Sequence, residues 1–315
     1  MAGIFFFSEN RGQALEMLSA ARGLGDTLKT TVSAFIFKSG VDGQELINCG
    51  ADEILLLPQL PEDQGYDCYI PVFAEEAKSR DPDVFLFPAT TPCKDIAARV
   101  AGRLNTGLCS SCIAIGTGDD GKTIVMERLA YGGAALQKVV SECRPAMATI
   151  APGTLTPAEQ KGTREGKISE LPQPAPSAVK VLERKAKAKE SRDITEAKVI
   201  VCVGRGFEKQ EDLGLARELC NLLGGEMACT RPISEEMKWL PEELCIGLSG
   251  ASVKPQLYLG IGISGQIQHV TGLRNARVIC AINKDENAPI FGVSDIGIVG
   301  DLYQVVPKLI AAMKG

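Results

Sequence analysis

The chain has 315 residues, of which 45% are hydrophobic and 23% are charged, and its formal net charge is −5. This length predicts about two domains with packed cores, and the composition excludes disordered, collagen-like and coiled-coil chains. An acidic chain without a broad basic surface is not expected to bind nucleic acid.

Membrane insertion and targeting are also not expected. No apolar run reaches the ~18 residues that span a bilayer, and the N-terminus lacks a charged segment ahead of its apolar run. The eleven cysteines are scattered through apolar segments and are odd in number. They indicate reduced thiols in a cytoplasmic protein rather than a disulfide framework.

The single histidine, His269, limits the chemistry that the chain can perform. It excludes an HExxH helix, a paired-histidine metal centre and two-histidine acid–base catalysis. No GxSxG nucleophile motif is present. We therefore assign no metal ligands and no catalytic residues.

The first half of the chain alternates short β-type runs with helical stretches. This rhythm predicts a parallel sheet covered by crossover helices. The predicted strands lie at 4–7, 32–37, 53–57 and 84–87, and the predicted helices at 13–24 and 93–104. Further runs at 123–126, 138–140 and 147–150 have no long helices between them, and we expect them to complete the same sheet.

An extended connector is predicted after the first domain. Residues 171–177 read LPQPAPS, and residues 184–192 read RKAKAKESR without an apolar face. Because Glu183, Glu190 and Asp193 dilute the basic run, a solvated linker is favoured over a patch for membranes or nucleic acid.

A second α/β unit begins with a strand at 198–203, followed by the turn Gly204-Arg205-Gly206 and a helix over 211–223 that stops at Gly224. Further strands are predicted at 256–260, 277–282 and 295–299. The turn after the first strand could bring backbone N–H groups to a phosphate. It lacks the third glycine of GxGxxG, so a plain βα turn remains open.

The segment 260–269 (GIGISGQIQH) is a sharper signal. It follows a strand and supplies hydrogen-bonding side chains from Ser264, Gln266, Gln268 and His269 at the head of a helix. A glycine-rich loop with a structural histidine is the alternative. Other loops follow strands at 230–232, 245–250, 281–285 and 288–291, and we expect all of them to converge at one sheet edge.

The pair Cys109 and Cys112 forms a lone CxxC motif. No second CxxC is present for a zinc site, and the sequence around the motif is unlike that of thioredoxins. A redox dithiol is therefore disfavoured.

The order of these loops resembles the α subunit of electron transfer flavoproteins, the FixB-like family. The motifs are VGRG (203–206), TRP (230–232), IGLSG (246–250), GISGQIQH (262–269), AINKD (281–285), APIF (288–291) and VGDLY (299–303). In the first half, GAD (50–52), Arg99, Arg128 and YGGA (131–134) also resemble that family. The resemblance covers essentially the whole chain.

The resemblance implies an α/β fold with two domains. An N-terminal parallel-sheet, nucleotide-hydrolase-like (HUP-type) domain would cover 1–170, a linker 171–197, and a C-terminal Rossmann-like FAD-binding domain 198–315. The implied partners are a β subunit, forming a heterodimer, and an acyl-CoA dehydrogenase-type or quinone-reducing redox protein. The implied function is the shuttling of single electrons, and flavin-based electron bifurcation with an NADH-reduced flavin in the β subunit is a refinement of it.

The resemblance also assigns FAD-binding roles residue by residue. Arg205 would contact the diphosphate or ribityl region, Thr230 and Arg231 would lie by the isoalloxazine, and residues 246–249 would border the ring. Residues 264–269 would wrap the ribityl and diphosphate, with His269 near the flavin O2, and Asn283, Asp301 and Leu302 would hold the adenosine half. The complete set is Arg205, Thr230, Arg231, Ile246, Gly247, Leu248, Ser249, Gly250, Ser264, Gly265, Gln266, Ile267, Gln268, His269, Asn283, Asp301 and Leu302.

The loop at 245–250 departs from the usual QVGQTG pattern of the family. Cys245 and Leu248 replace two glutamines, and Ser249 replaces a threonine whose hydroxyl would point toward flavin N5. We expect that hydrogen bond to survive with an altered potential. Positive charges on Arg231 and His269 would favour negative charge on the N1/O2 edge of the ring.

Two other functions remain open at this point. A stand-alone NAD(P)-dependent oxidoreductase could use the same loops, but no acidic residue follows a complete GxGxxG by about 20 positions, and Glu226 is a poor candidate. The other is a nucleotide-binding structural domain of the kind found in thiamine-diphosphate decarboxylases, which would carry no chromophore.

Overall fold

A computed structural model describes residues 3–38, 40–160, 162–184 and 193–314 of the chain. The chain divides into two compact units, residues 1–185 and 186–315. Both units combine parallel strands with helices, which confirms the predicted two-domain α/β organisation.

The described part of unit 1 contains a nine-stranded sheet with the order β7-β6-β5-β8-β4-β1-β2-β3-β9. All strands expected from the sequence are present, and β5 and β9 are additional. The sheet is parallel except where β6 pairs with β5 and with β7, so the expected parallel sheet carries an antiparallel extension. In chain order the elements are β1 (Gly3–Ser8), α1 (Arg11–Leu28), β2 (Thr31–Phe37), α2 (Gly43–Cys49), β3 (Glu53–Leu57), α3 (Ile70–Arg80), β4 (Val84–Pro88), α4 (Thr91–Leu104), β5 (Leu108–Thr117), β6 (Ile124–Ala130), β7 (Ala135–Val140), β8 (Ala146–Ile150) and β9 (Lys167–Glu170).

Strand β1 shows why this sheet is buried on both faces. Ile4 and Phe6 pack into the core that includes α1 and α2, whereas Phe5 and Phe7 pack into the core that includes α3 and α4. Successive side chains of a strand point to opposite faces, so a continuous apolar run fits a central strand that is covered on both sides.

The described part of the predicted connector, residues 171–184, is hydrogen-bonded to unit 1. The backbone N–H of Leu171 donates to the Leu56 carbonyl, and the N–H of Val181 donates to the Asp63 carbonyl. The Arg184 guanidinium donates to the backbone carbonyl of Gln64 at 2.6 Å. The rest of the basic run, 185–192, lies outside the described residues.

Unit 2 has a parallel sheet, five-stranded in its described residues, with the order β11-β10-β12-β13-β14. The elements are β10 (Val199–Val203), α5 (Leu213–Leu223), β11 (Glu226–Cys229), β12 (Leu257–Ile261), α6 (Ile267–Leu273), β13 (Ile279–Asn283), β14 (Ile296–Val299) and α7 (Leu302–Lys314). The predicted stop of α5 is confirmed, because Gly224 caps the helix in the left-handed region at φ 62°. The four-residue β11 was not expected.

The strand order of unit 2 creates a topological switch point. The chain passes from β10 to β11 on one side and then returns to β12 on the other side of β10. In open α/β sheets, ligands bind in the crevice outside the carboxyl ends of the strands at such a point.

The described helices include none that is both long and apolar enough to cross a bilayer.

Candidate functional site

A cavity of about 730 Å³ lies within unit 2, at the carboxyl ends of the strands. Residues that immediately follow β10, β11, β12, β13 and β14 line it, so the predicted convergence of loops at one sheet edge is present in the structure. The volume falls within the range of about 300–1,000 Å³ that is typical of ligand pockets.

Three glycines let two loops approach each other closely at the switch point. The N–H of Gly206 donates to the Gly262 carbonyl at 3.0 Å. A Cβ at Gly204 would lie 2.5 Å from the Gly262 oxygen, and one at Gly206 would lie 2.5 Å from the Gly262 Cα. Gly262 also has φ +66°, which L side chains rarely adopt. These close contacts leave no room for side chains, so backbone lines the centre of the cavity.

The order of the strands arranges the lining residues along the sheet edge. Thr230 and Arg231 follow β11 at one edge, and Arg205 and Ser264 follow the adjacent central strands. Asn283 at the end of β13 and the segment 300–303 after β14 lie toward the opposite edge. With strands roughly 4.8 Å apart, this row suits an extended ligand that runs across the sheet.

Charges of both signs line the cavity. Arg205, Arg231 and Lys284 are basic, whereas Glu208 and Asp301 are acidic. The Arg231 guanidinium donates from Nε to Glu235 at 2.6 Å, and its side chain is 64% exposed. That ion pair raises the pKa of Arg231, which remains a cation at the rim of the cavity. Its field is partly offset by Glu235 and by solvent.

Helix α7 begins at the cavity. Asp301 accepts a hydrogen bond from the N–H of Tyr303 at 2.9 Å. The Tyr303 hydroxyl donates to Asp212 at 2.6 Å and accepts from the N–H of Glu208 at 2.8 Å. These contacts fix the start of α7 against the loop that follows β10, so the two elements form one wall.

The loop at 246–250 packs tightly on α6. The N–H of Leu248 donates to the Gln268 carbonyl at 2.7 Å. A Cβ at Gly272 would lie 2.5 Å from the Gly247 nitrogen, so only glycine fits at position 272 in this packing. Leu248 itself is 63% exposed and presents an apolar side chain at the cavity.

His269 is buried, and both of its ring nitrogens have protein partners. Nδ1 lies 3.0 Å from the Ile246 carbonyl oxygen, and Nε2 lies 2.7 Å from the Tyr258 hydroxyl. Burial lowers the pKa of His269 to about 4, against a weaker opposing effect of the Ile246 carbonyl. The imidazole is therefore neutral at pH 7, and the positive charge expected from the sequence is not present in this arrangement.

Three buried thiols, on Cys202, Cys229 and Cys245, lie close to one another in unit 2. Burial raises the pKa of all three, and that of Cys229 reaches about 12. They are therefore protonated at neutral pH and act as small apolar groups with weak hydrogen-bonding ability.

All of the predicted site residues except Gly250 and Ile267 line the cavity. Gly250 lies in the turn, where a Cβ would come 2.2 Å from the Cys245 oxygen, and Ile267 is the first residue of α6 and is half-exposed. Further residues line the cavity that received no FAD-binding role from the sequence, although all of them except Glu208 and Cys245 lie within the quoted motifs. The added residues are Gly204, Gly206, Glu208, Pro232, Cys245, Gly262, Ile263, Ile282, Lys284, Gly300 and Tyr303.

The CxxC motif lies on β5 in unit 1. Both thiols are free and buried, and Cys112 donates to the Cys109 carbonyl at 3.4 Å. Burial raises the pKa of Cys112, so the thiolate that redox chemistry needs is disfavoured. Within the described residues, no group of three or more His, Cys, Asp or Glu side chains is placed to hold a metal ion.

A second cleft, in unit 1, is held together by ion pairs. Arg22 and Arg164 both contact Asp52, at 2.9 and 3.1 Å. The cleft includes Thr31 and Asp52, which lie at the amino ends of β2 and β3. It is therefore at the end of the sheet opposite to that at which open α/β folds bind ligands.

Comparison with known proteins gives consistent matches along the chain. The profile of the electron transfer flavoprotein FAD-binding domain matches residues 193–274, and that of the electron transfer flavoprotein domain matches residues 11–176. Protein FixB of Escherichia coli O127:H6 (strain E2348/69) is 35% identical over 312 residues, which cover 98% of this chain and 97% of that protein. Protein FixB of Salmonella paratyphi A is 35% identical over 314 residues, covering 99% and 98%.

Proposed function

The chain belongs to the electron transfer flavoprotein α-subunit family of the FixB type, and from this membership we propose that it carries electrons through an FAD held in unit 2. The observation that carries the proposal is the glycine-lined cavity at the switch point of a domain that matches a family FAD-binding profile. The flavin supplies the redox chemistry when it is bound, and the protein supplies binding and electrostatic tuning.

The residues that line the cavity fit this cofactor. The close approach of Gly206 and Gly262 leaves a backbone cradle suited to a diphosphate, and Arg205 adds a positive charge beside it. Because the start of α7 also faces the cavity, its N–H groups add further favourable potential for an anion.

We propose that the two ends of the cavity hold the two ends of FAD. Thr230, Arg231 and the loop at 246–249 would hold the isoalloxazine, with the Ser249 hydroxyl as a hydrogen-bond donor. Asn283 and the residues 301–302 would hold the adenosine half. This assignment is supported by the strand order, which separates the two groups of residues by the width of the sheet.

A stand-alone NAD-dependent oxidoreductase is less consistent with the site, and the Arg231 guanidinium that could meet the 2′-phosphate of NADP is already paired with Glu235. Such enzymes place an acidic residue near the ribose, at the end of the second strand of the nucleotide-binding unit. Here that strand, β11, is followed by Thr230 and Arg231, neither of which is acidic. Glu226 is the first residue of β11, at the other end of the strand from the cavity.

We further propose that the chain acts as a heterodimer with a β subunit and passes electrons to an acyl-CoA dehydrogenase-type or quinone-reducing protein in the cytoplasm. Membership of the family supports the β subunit, and eleven free cysteines support a reducing compartment.

The proposal is tested by the visible spectrum of the chain purified with its β subunit, before and after photoreduction. We expect flavin absorption bands with FAD bound to this chain, and their stepwise loss during photoreduction. A colourless, stoichiometric complex would show that the cavity serves another nucleotide.

The bifurcation refinement needs its own experiment. We include it because the motifs at 230–232 and 262–269 resemble those of FixB-type members. Stopped-flow mixing of the heterodimer with NADH should bleach the flavin absorption. An unbleached flavin would contradict bifurcation and leave the electron-carrier proposal intact.

A further inference from the structure

A chain of hydrogen bonds runs beneath the cavity from the sheet to the loop at 246–250. It links Tyr258 on β12, His269 on α6 and the Ile246 carbonyl, and the Cys202 thiol on β10 neighbours Tyr258. Cys202 and Tyr258 are fully buried, and His269 and Ile246 are 7% and 2% exposed. Groups buried to this extent depend on one another to satisfy their polar atoms.

The direction of each hydrogen bond follows from the chemistry of its partners. A backbone carbonyl only accepts, so Nδ1 of His269 carries the hydrogen that is donated to Ile246. A neutral imidazole then has a lone pair on Nε2, which must accept from the Tyr258 hydroxyl. Burial, with a smaller contribution from the neighbouring Cys202 thiol, raises the pKa of Tyr258, so its hydroxyl keeps the proton that it donates.

Strand β12 makes space for the Tyr258 ring. Gly260 lies two residues further along the strand and therefore on the same face of the sheet. A Cβ at position 260 would lie 3.1 Å from Tyr258 Cε1 and 3.4 Å from its hydroxyl oxygen. The absence of a side chain at position 260 therefore lets the tyrosine lie along its own strand toward His269.

His269 joins three elements at the wall of the cavity. It belongs to α6, its Nε2 contacts β12, and its Nδ1 contacts the loop that begins at Ile246. The same loop depends on α6 a second time, because Leu248 donates to the Gln268 carbonyl. The imidazole ring therefore helps to hold the loop against the cavity, together with the Leu248 bond and the Ile246 N–H, which donates to the Cys229 carbonyl.

We propose that Tyr258 is a positioning residue of the cofactor site: its hydroxyl donates to Nε2 of His269 and thereby holds the ring as the neutral Nδ1–H tautomer that pins Ile246. In this arrangement both ring nitrogens are engaged by protein groups, and His269 contributes to the placement of the loop at 246–250. The inference rests on the proposed function only in naming FAD as the ligand.

The single histidine makes a direct experiment possible. The full chain is labelled with ¹⁵N-histidine and assembled with an unlabelled β subunit, so that one imidazole is visible in long-range ¹H–¹⁵N spectra. We expect a protonated Nδ1 and an unprotonated, hydrogen-bonded Nε2 at pH 7. A protonated Nε2, an imidazolium, or a ring averaging between tautomers would overturn the proposal.

The Tyr258→Phe variant tests the role of the hydroxyl. The Nε2 resonance should move to the position of an acceptor without a donor, and the dissociation constant for FAD should rise about tenfold, as for the loss of one buried hydrogen bond. Tyr66→Phe, which removes a hydroxyl in unit 1, is the matched control and should change neither quantity.

Several outcomes would contradict this role. An Nε2 resonance at its wild-type position in Tyr258→Phe, or FAD affinity within twofold of wild type, would overturn it. Cys202→Ala keeps the tyrosine donor and should leave the Nε2 resonance in place, so a displaced resonance would also overturn it. If Tyr258→Phe does not fold, the wild-type spectrum and Cys202→Ala still decide the matter. A wild-type complex without FAD would contradict the proposed function but not the tautomer.

Discussion

Each unit has a topological switch point, and the two points differ in what fills the space between their loops. In unit 1 it lies between β1 and β4, where the Glu9 carboxylate accepts from the Thr90 hydroxyl at 2.8 Å and from the Cys93 thiol at 2.9 Å. In unit 2 the corresponding loops carry glycines and border the cavity. We call the unit 1 switch point, whose two loops are joined by these hydrogen bonds, the closed edge, and the unit 2 switch point, whose loops border the cavity, the open edge.

The largest expected effect comes from closing the open edge. Gly206→Ala should lower the FAD-to-protein ratio at least tenfold and cost about 1–3 kcal/mol of stability, because its Cβ would lie 2.5 Å from the Gly262 Cα. Gly214→Ala in α5 is the control. No atom lies within 4 Å of its Cβ position, so FAD content should stay unchanged and stability should stay within about 0.5 kcal/mol of wild type. Normal flavin content in Gly206→Ala would contradict the claim that the glycines at this switch point keep the cofactor site open.

The next prediction concerns how the stability of unit 2 depends on pH. The pKa of His269 in the folded chain, about 4, lies below its unfolded value, so the unfolded state binds more protons between these values. The shift in the His269 pKa contributes about 3 kcal/mol to the free energy of unfolding at neutral pH. This stabilisation is fully present above pH ~6.5 and is lost as the pH falls toward 4. Urea unfolding followed by Trp239 fluorescence should show a shallower pH dependence in His269→Gln. Equal slopes in the two proteins would contradict a neutral, buried imidazole.

A smaller effect is expected at the closed edge of unit 1. Glu9→Ala would leave the Thr90 hydroxyl and the Cys93 thiol without their acceptor, and should destabilise unit 1 by about 1–2 kcal/mol without lowering FAD content. Hydrogen exchange of the β1 amides reports the loss. Glu75→Ala, on an exposed position of α3, should stay within about 0.5 kcal/mol of wild type. Loss of flavin in Glu9→Ala would show that the closed edge takes part in cofactor binding.

The smallest effect is on the redox potential. Arg231→Ala should lower the potential of bound FAD, and Glu235→Gln should raise it, because the two residues form an ion pair at the rim of the cavity. Each shift should be only a few tens of millivolts, since solvent screens exposed charges. Spectroelectrochemical titration measures both. Shifts of the same sign in the two variants would rule out a role of this pair through its charge.

Much of the site could be predicted because its signals are local. Glycines at 204, 206 and 262 follow apolar strands directly, and polar residues such as Asn283 and Asp301 also lie at or just beyond strand ends. Parallel strands bring their carboxyl ends to one edge, so these residues had to converge.

The charge of His269 could not be predicted in the same way. Its neutrality depends on burial and on two hydrogen bonds, to Ile246 and Tyr258, which are 23 and 11 positions away in the chain. Strand β11 was missed because its four residues, which begin with a glutamate, are too few to show the hydrophobic pattern of a strand. Its pairing with β10 stabilises it in the fold.

The sequence by itself determined the two α/β units, nearly all of their strands and most of the cavity-lining residues, because apolar runs, glycines and strand ends are local properties of the chain. Only the tertiary structure decided which switch point is open, how β6 and β7 extend the first sheet, and that the histidine is neutral. These features depend on contacts between distant residues, such as Glu9 with Thr90 and Tyr258 with His269. Burial and hydrogen bonding at those contacts set the charges and shapes that the sequence leaves open.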